Sequence, residues 1–367
     1  MGTDNRRLEA ALAELVGKLA PGARIERIES LSESQPDRGH GTAKFLGYGA
    51  SLRLTLRTPE GDARRIVFRT SRSDDFGHDR RADRAANALL AYDTFGLVPQ
   101  HAPALDVGAI GDDERLHSLR GAGEFYTVTD YVAGAPYADD LWRIAREKRL
   151  EPRDLGRCDA LASYLSRLHA EKIDAPGAYR RAIRDLVGHG EGIFGLADNF
   201  PDNAPGAPIA QVANLEKLAA DWRWRLRGKG SRLSRTHGDF HPFNILFDDQ
   251  DRLALLDASR GCQGDPADDV TCLSINYLFF ALEHRDSWTE GFVELWRRFW
   301  KAYLEEASDG ELLEAAPPYW AWRTLVLANP RWYPNASAET RATLLRLAQQ
   351  ALERGRLELG EVEKAFQ

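Results

Sequence analysis

Leucines recur at helical spacing from residue 7 to 19 (Leu8, Leu12, Leu15 and Leu19) among charged neighbours, which predicts an amphipathic helix that Pro21 and Gly22 close. RIERIESL (24–31) reads as a strand, and SESQPDRGHGTA (32–43) as a polar, flexible stretch. SLRLTLR (51–57) alternates apolar and basic positions, TPEGD (58–62) has turn chemistry, and RRIVFRT (64–70) reads as the return strand of a hairpin opened by Gly47 and Gly49. DRRADRAANALLAY (79–92) predicts a helix, and FGLVPQHAPALDVGAI (95–110) a loop followed by a strand. EFYTVTDYV (124–132) predicts a buried strand, ended by the Gly134–Pro136 turn.

Beyond that turn the pattern becomes helical. Leu161, Leu165 and Leu168 mark one face of CDALASYLSRLHAEK (158–172). VANLEKLAADWRWRLR (212–227) and most of the chain after Asp269 follow the same 3.6-residue period. Between them, VGHGEGIFGLADNFPDNAPGAP (187–208) is rich in Gly and Pro and reads as a long loop. Strands come first and helices later, so the fold class is α+β and not an alternating βαβ sheet. A chain of 367 residues exceeds one ordinary hydrophobic core. We therefore expect two domains, 1–132 and 133–367.

Composition adds exclusions. The formal charge of −7 argues against nucleic acid as the main partner. No apolar run is long enough to span a bilayer, and the N-terminal segment lacks the apolar core of a secretory signal. Three cysteines without a CxxC pair argue against a disulfide framework or a zinc site, and the expectation is a cytoplasmic protein with no membrane partner.

The candidate chemistry lies in THGDFHPFNILF (236–247) and the hairpin and acidic run beyond it. NILF, the turn DDQD and LALL predict a short hairpin, which brings Asn244 and Asp257 to one end. A carboxylate and an amide oxygen placed together suit a hard cation such as Mg²⁺. Asp239, earlier in the loop, is then free to face a hydroxyl and accept its proton. Taken singly, each residue is explained as well by an Asp or Asn satisfying turn backbone. His237 reads as a loop-holding residue, and His241 as either a phosphate contact or, in preference, a structural residue. Trp320, Trp322, Trp332 and Tyr333 read mostly as core, with a few available to line an acceptor pocket.

Together, His237-Gly238-Asp239, Asn244, Asp257 and Gly264-Asp265-Pro266-Ala267-Asp268-Asp269 resemble the aminoglycoside phosphotransferase and choline kinase family, small-molecule kinases with the protein-kinase-like fold. The resemblance implies a small β-rich N-terminal nucleotide-binding lobe and a larger, mostly helical lobe for catalysis and the acceptor. It implies ATP and Mg²⁺ as cofactors, Asp239 as the catalytic residue, and Asn244 and Asp257 as metal ligands. Gly47, Gly49 and Ser51 correspond to the phosphate loop, Asp130, Tyr131 and Val132 to the adenine hinge, and Asp269 to a buried aspartate bracing the catalytic loop. Arg69 stands where such kinases carry a phosphate-gripping lysine, and Asp83 is the expected acid beside it. The implied acceptor is a hydroxyl of an aminoglycoside-like molecule or another amino or sugar alcohol. The alternatives are a metabolite kinase of choline, amino-alcohol or sugar type, and a catalytically weak nucleotide-binding pseudokinase.

Overall fold

The computed structural model describes residues 2–31, 51–258 and 260–367, which form two compact units, Met1–Thr129 and Asp130–Gln367. Gly47 and Gly49 lie outside the described residues. The division falls three residues before the expected boundary and assigns Asp130, Tyr131 and Val132 to the second unit.

The first unit has helix α1 (Gly2–Leu19) against an antiparallel sheet of β1 (Arg24–Ser30), β2 (Ser51–Arg57) and β3 (Ala63–Arg69), in the order β1-β2-β3. Leu54 and Leu56 point to one face because side chains alternate along a strand. They are buried against Leu12 and Val16 of α1, with Ile66 and Phe68 packed at the side. Val16 takes the core position that the leucine pattern had given to Leu15, since it lies one turn beyond Leu12 on the inward face. Opposite charges meet across the sheet: Glu29 and Arg53 are register partners, and Arg53 donates to Glu29 at 2.8 and 3.0 Å. Helix α2 (Arg81–Thr94) comes next, and then a small hairpin of β4 (Gly108–Ile110) and β5 (Leu116–Ser118).

The strand expected over 124–132 is not formed. These residues have no regular structure, and Tyr126, Val128 and Tyr131 are exposed. A strand needs a neighbour to complete its hydrogen-bond ladder. Among the described residues none pairs with this segment.

The second unit is mostly helical. It runs β6 (Ala135–Pro136), α3 (Tyr137–Glu147), α4 (Pro152–Ala170), α5 (Pro176–Gly188), α6 (Ile193–Asp198), α7 (Ile209–Leu226) and β7 (Ser234–Arg235). Strands β8 (Ile245–Phe247), β9 (Leu253–Leu255) and β10 (Gln263–Gly264) come after it. Helices α8 (Pro266–Glu283), α9 (Val293–Ala307), α10 (Leu312–Ala315), α11 (Pro317–Ala328), α12 (Ala338–Arg354) and α13 (Leu359–Lys364) complete it. The loop expected over 187–208 contains α6, whose Ile193 and Leu196 reach the core. Helix α8 is apolar on almost every side after its first turn, so it is enclosed, packing against α3, α9 and α11. Among the described residues no helix is long and apolar enough to cross a membrane.

Two small sheets frame the loop 236–244. Strand β7 pairs antiparallel with β10, and β8 lies between β6 and β9. The loop is thereby fixed at both ends while its middle is open to side-chain contacts from the helices.

Candidate active site

The loop is held from below by one carboxylate. Asp269, in the first turn of α8 and fully buried, accepts the N–H of His237 at 2.7 Å through Oδ2 and that of Gly238 at 2.8 Å through Oδ1. His169 of α4 places Nε2 at 3.1 Å from the same carboxylate, and its Nδ1 lies 2.6 Å from Tyr303 Oη. Burial alone would raise the Asp269 carboxyl, but His169 and the two backbone donors outweigh it and hold it below the usual range. Gly238 has φ +82°, a left-handed conformation that a side chain resists. A Cβ there would stand 3.0 Å from the Gly261 carbonyl. Phe240 anchors the loop on the opposite side, fully buried and stacked on Tyr164 of α4.

Asp239 sits above this floor. Two guanidinium groups reach its Oδ1, Arg260 Nη1 and Arg323 Nη1, each at 2.8 Å. Oδ2 has a weaker contact, with Asn244 Nδ2 at 3.3 Å. Burial opposes ionisation of Asp239, yet Arg323 and Arg260 prevail, so its carboxyl titrates below the ordinary value. Arg323, on α11 and almost wholly buried, also donates through Nη2 to the Gly238 carbonyl at 3.0 Å and to Asp268 Oδ1 at 2.5 Å. Trp322 lies against both arginines, with its ring centroid 3.9 Å from the Arg323 guanidinium carbon and 4.7 Å from that of Arg260. Its indole N–H donates to the Glu191 carbonyl at 2.8 Å, and the Glu191 carboxylate stands 3.4 Å from Arg260 Nε. The glycine-rich turn before α6 thus touches the site.

The hairpin does what its sequence predicted. Ile245 pairs with Leu255, and the Leu256 N–H donates to the Asn244 carbonyl at 2.9 Å. Asp257 comes directly after it, exposed and with φ +55°. Asn244 Nδ2 also donates to the Asp239 carbonyl at 3.1 Å. Neither Asn244 Oδ1 nor the Asp257 carboxylate has a partner among the described residues. They are two hard oxygen donors at one end of a hairpin, and no cluster of three or more His, Cys, Asp or Glu that could hold a metal occurs among the described residues. This donor set fits Mg²⁺, which takes few protein oxygens and fills its shell with water and substrate phosphate.

His241 is enclosed between Phe243, stacked on its ring, and Tyr333. Phe243 N–H donates to Nδ1, which puts the ring proton on Nε2, 3.3 Å from Tyr333 Oη. Burial pushes His241 down to about 4, so the ring is neutral at physiological pH.

The nucleotide candidates of the first unit are described by themselves. Ser51 and Arg69 are cross-strand partners at one end of the β2–β3 hairpin, and Arg69 is exposed. Among the described residues no ion pair joins Arg69 to Asp83. At the third position of α2, Asp83 turns back to accept the Arg80 N–H at 2.8 Å, as a first-turn carboxylate commonly does. In the second unit, Asp130–Val132 have no regular structure and are largely exposed.

Arg260, Arg323, Trp322, Asp268 and His169 were not assigned to the site from the sequence. The signal for Arg260 was its place three residues after Asp257; Arg323 had no sequence signal.

The model of the phosphotransferase enzyme family (APH) matches residues 42–319, most of the chain. No curated protein matches the chain in sequence. Among solved structures, the choline kinase LicA from Streptococcus pneumoniae aligns at 14% identity over 95% of this chain and 99% of its own, with a TM-score of 0.35. A glucosamine kinase in complex with glucosamine, ADP and inorganic phosphate aligns at 16% over 93% and 98%, with a TM-score of 0.39. The macrolide 2'-phosphotransferase MphH from Brachybacterium faecium aligns at 16% over 91% and 97%, with a TM-score of 0.30.

Proposed function

The chain belongs to the phosphotransferase enzyme family, and from that premise we propose that it transfers the γ-phosphate of ATP, with Mg²⁺, to a hydroxyl of a small molecule. The observation that carries this reading is the loop itself. Asp269 clamps two successive amides, and this presents Asp239 beside Asn244 at the end of the hairpin that carries Asp257.

Asp239 is ionised at neutral pH. Its Oδ2 accepts a hydrogen bond from the acceptor hydroxyl and takes the proton as the new P–O bond forms, while the bond from the γ-phosphorus to the β,γ-bridging oxygen breaks and ADP leaves with that electron pair. A positioned base of this kind contributes on the order of 10²–10⁴-fold in rate. Asn244 Oδ1 and the Asp257 carboxylate are the groups that would hold Mg²⁺; when bound, the ion supplies charge neutralisation on the transferring phosphoryl group. Arg69, with Ser51 and the glycines at 47 and 49, is the group for the nucleotide phosphates, and a guanidinium binds phosphate in a bidentate manner where lysine cannot. Asp130–Val132 supply backbone groups for the adenine edge. Asp83 supports this region through the cap of α2. The acceptor class is an aminoglycoside-like molecule or another amino or sugar alcohol.

The test is labelled ATP with a panel of amino sugars, amino alcohols, aminoglycosides and macrolides, run on wild type, Asp239→Ala and Asp257→Ala. Transfer by wild type and its loss in both variants supports the reading. Transfer that persists in both overturns the mechanism, and a wild type that does not bind MgATP overturns the kinase reading. The exposed Arg69, without an ion pair among the described residues, favours a second reading, a nucleotide-binding protein with little turnover. That reading expects MgATP binding without transfer to any panel member.

A further inference from the structure

We propose that Arg323 is a positioning residue for phosphoryl transfer: its guanidinium fork fixes the Asp239 carboxylate through Oδ1 and leaves Oδ2 as the oxygen that meets the acceptor hydroxyl. The inference rests on the function proposed above. It adds a residue at 323, beyond the stretch 42–319 that the family match covers.

The contacts around Arg323 and Asp239 make the case. Arg323 reaches Asp239 Oδ1 with one end of its fork and the Gly238 carbonyl with the other, so it reads side chain and backbone of the loop at once. Asp268, at 2.5 Å, balances the remaining charge and comes from the same helix turn as Asp269. Trp322 lies against the guanidinium and is itself tied to the Glu191 carbonyl, which fixes the plane of the fork. Arg260 converges on the same Oδ1 from the loop after Asp257. The two carboxylate oxygens of Asp239 are therefore unequal. One is held by two charged donors and the other by one long amide contact. A carboxylate held at one oxygen can neither rotate nor swing away, so the free oxygen has a defined direction. A purely structural ion pair would need none of this asymmetry, because Asp268 alone would compensate a buried arginine.

The fork is what matters. A lysine at 323 keeps the charge but is a single point donor on a flexible stem, unable to serve Asp239, Gly238 and Asp268 in one plane. A methionine keeps much of the volume and removes every donor.

The experiment compares wild type, Arg323→Lys and Arg323→Met, using the panel compound that wild type phosphorylates. It measures kcat, KM for MgATP, MgATP affinity by calorimetry, and thermal unfolding. Misplacing a reacting group by about 1 Å costs on the order of 10²-fold. We expect Arg323→Met to lose kcat by about that factor while MgATP affinity stays within about threefold, with Arg323→Lys recovering part of the loss. Arg323→Met with wild-type kcat overturns the inference. If Arg323→Met fails to fold, Arg323→Lys decides: a folded Lys variant with reduced kcat and unchanged MgATP affinity supports the role, and wild-type kcat overturns it. A loss confined to KM for MgATP also overturns it. A wild type that binds no MgATP removes the kinase reading itself, and this inference with it. Normal binding and transfer with indifferent variants removes only the inference.

Discussion

Removing the Asp269 carboxylate is the most direct perturbation of the loop. Two variants separate its effects, Asp269→Ala and Asp269→Asn. The carboxylate is fully buried, accepts two backbone N–H groups at 2.7 and 2.8 Å, and faces His169 at 3.1 Å. Hydrogen bonds to a charged acceptor contribute about 1.5–3 kcal/mol each, and breaking a buried pair costs about 3–5 kcal/mol. Alanine should therefore destabilise the second unit by about 4 kcal/mol. Asparagine keeps one acceptor but turns an N–H₂ toward the other donor, so about 2–3 kcal/mol is expected. All nine tryptophans lie at or beyond Trp142, so urea unfolding followed by tryptophan fluorescence reports the second unit alone. With m near 2–3 kcal/mol/M, the alanine variant should lose roughly 1–2 M of midpoint. The pH dependence has a definite sign. A carboxyl held below its unfolded value stabilises above that value and loses the effect as pH falls through its folded one. The gap between wild type and Asp269→Asn should be flat from neutral pH down to about 5 and shrink below about 4. An alanine variant that loses less than about 1 kcal/mol would refute the bracing argument.

Four further outcomes are expected from the same contacts. His241, lowered by burial to about 4, must charge as the medium is acidified; its contribution is complete above about 6.5 and is lost below, costing roughly 2–3 kcal/mol by pH 4.5, and His241→Gln should flatten that slope in urea midpoints taken across pH 4.5–7.5. Gly238→Ala places a side chain at φ +82° near a carbonyl; it should cost about 1–2 kcal/mol and depress turnover more than MgATP affinity, measured by calorimetry and initial rates. Asp257→Ala removes an exposed carboxylate that has no partner among the described residues, so metal-free stability should change by less than about 0.5 kcal/mol while any rise in Tm on adding MgATP is lost, as a thermal-shift comparison will read. Arg232 donates to Asp265 at 2.8 and 2.9 Å and to Asp309 at 2.8 Å; Arg232→Met should cost about 3–5 kcal/mol, and Asp265→Asn in the same chain should cost less than the sum of the single variants by more than about 0.5 kcal/mol in urea unfolding.

The parts of the site that could be read from the sequence are local ones. Asn244 and Asp257 are joined by a hairpin of a few residues, so alternation and a DDQD turn suffice to place them together. Asp239 and Asp269 were legible through the order of several short motifs. Arg323 was not, because 84 residues separate it from Asp239 and only the packing of α11 against α8 brings them close. Trp322 was assigned to the core, which is correct for its burial but silent about the arginines on its ring. The strand expected over 124–132 shows the reverse failure. Its residues are rich in β-branched and aromatic side chains, but a strand is completed by a neighbour, and composition does not say whether one is there.

Three acids within five residues, Asp265, Asp268 and Asp269, open helix α8, and each is buried or nearly so. Close, buried like charges repel, and the positive end of the helix dipole offsets only about 0.3–1 kcal/mol of this for a carboxylate. The arrangement is stable because each acid has its own partners, brought from a different element. Asp265 caps the helix through the Ala267 N–H and takes Arg232 and the Tyr179 hydroxyl. Asp268 takes Arg323 from α11. Asp269 takes His169 from α4 and the two loop amides. Burial pushes Asp268 up while its neighbour is held down, as expected when two adjacent acids share a dry site and only one receives backbone donors. The first turn of α8 therefore joins α4, α5, α11 and the loop through separate polar contacts. Asp239 inherits its position from that junction, through Gly238 from below and Arg323 from the side. Any change that moves α11 relative to α8 must then disturb the Asp239 carboxylate and the Gly238 carbonyl together, because Arg323 ties both, while Asp269 still holds the two loop amides.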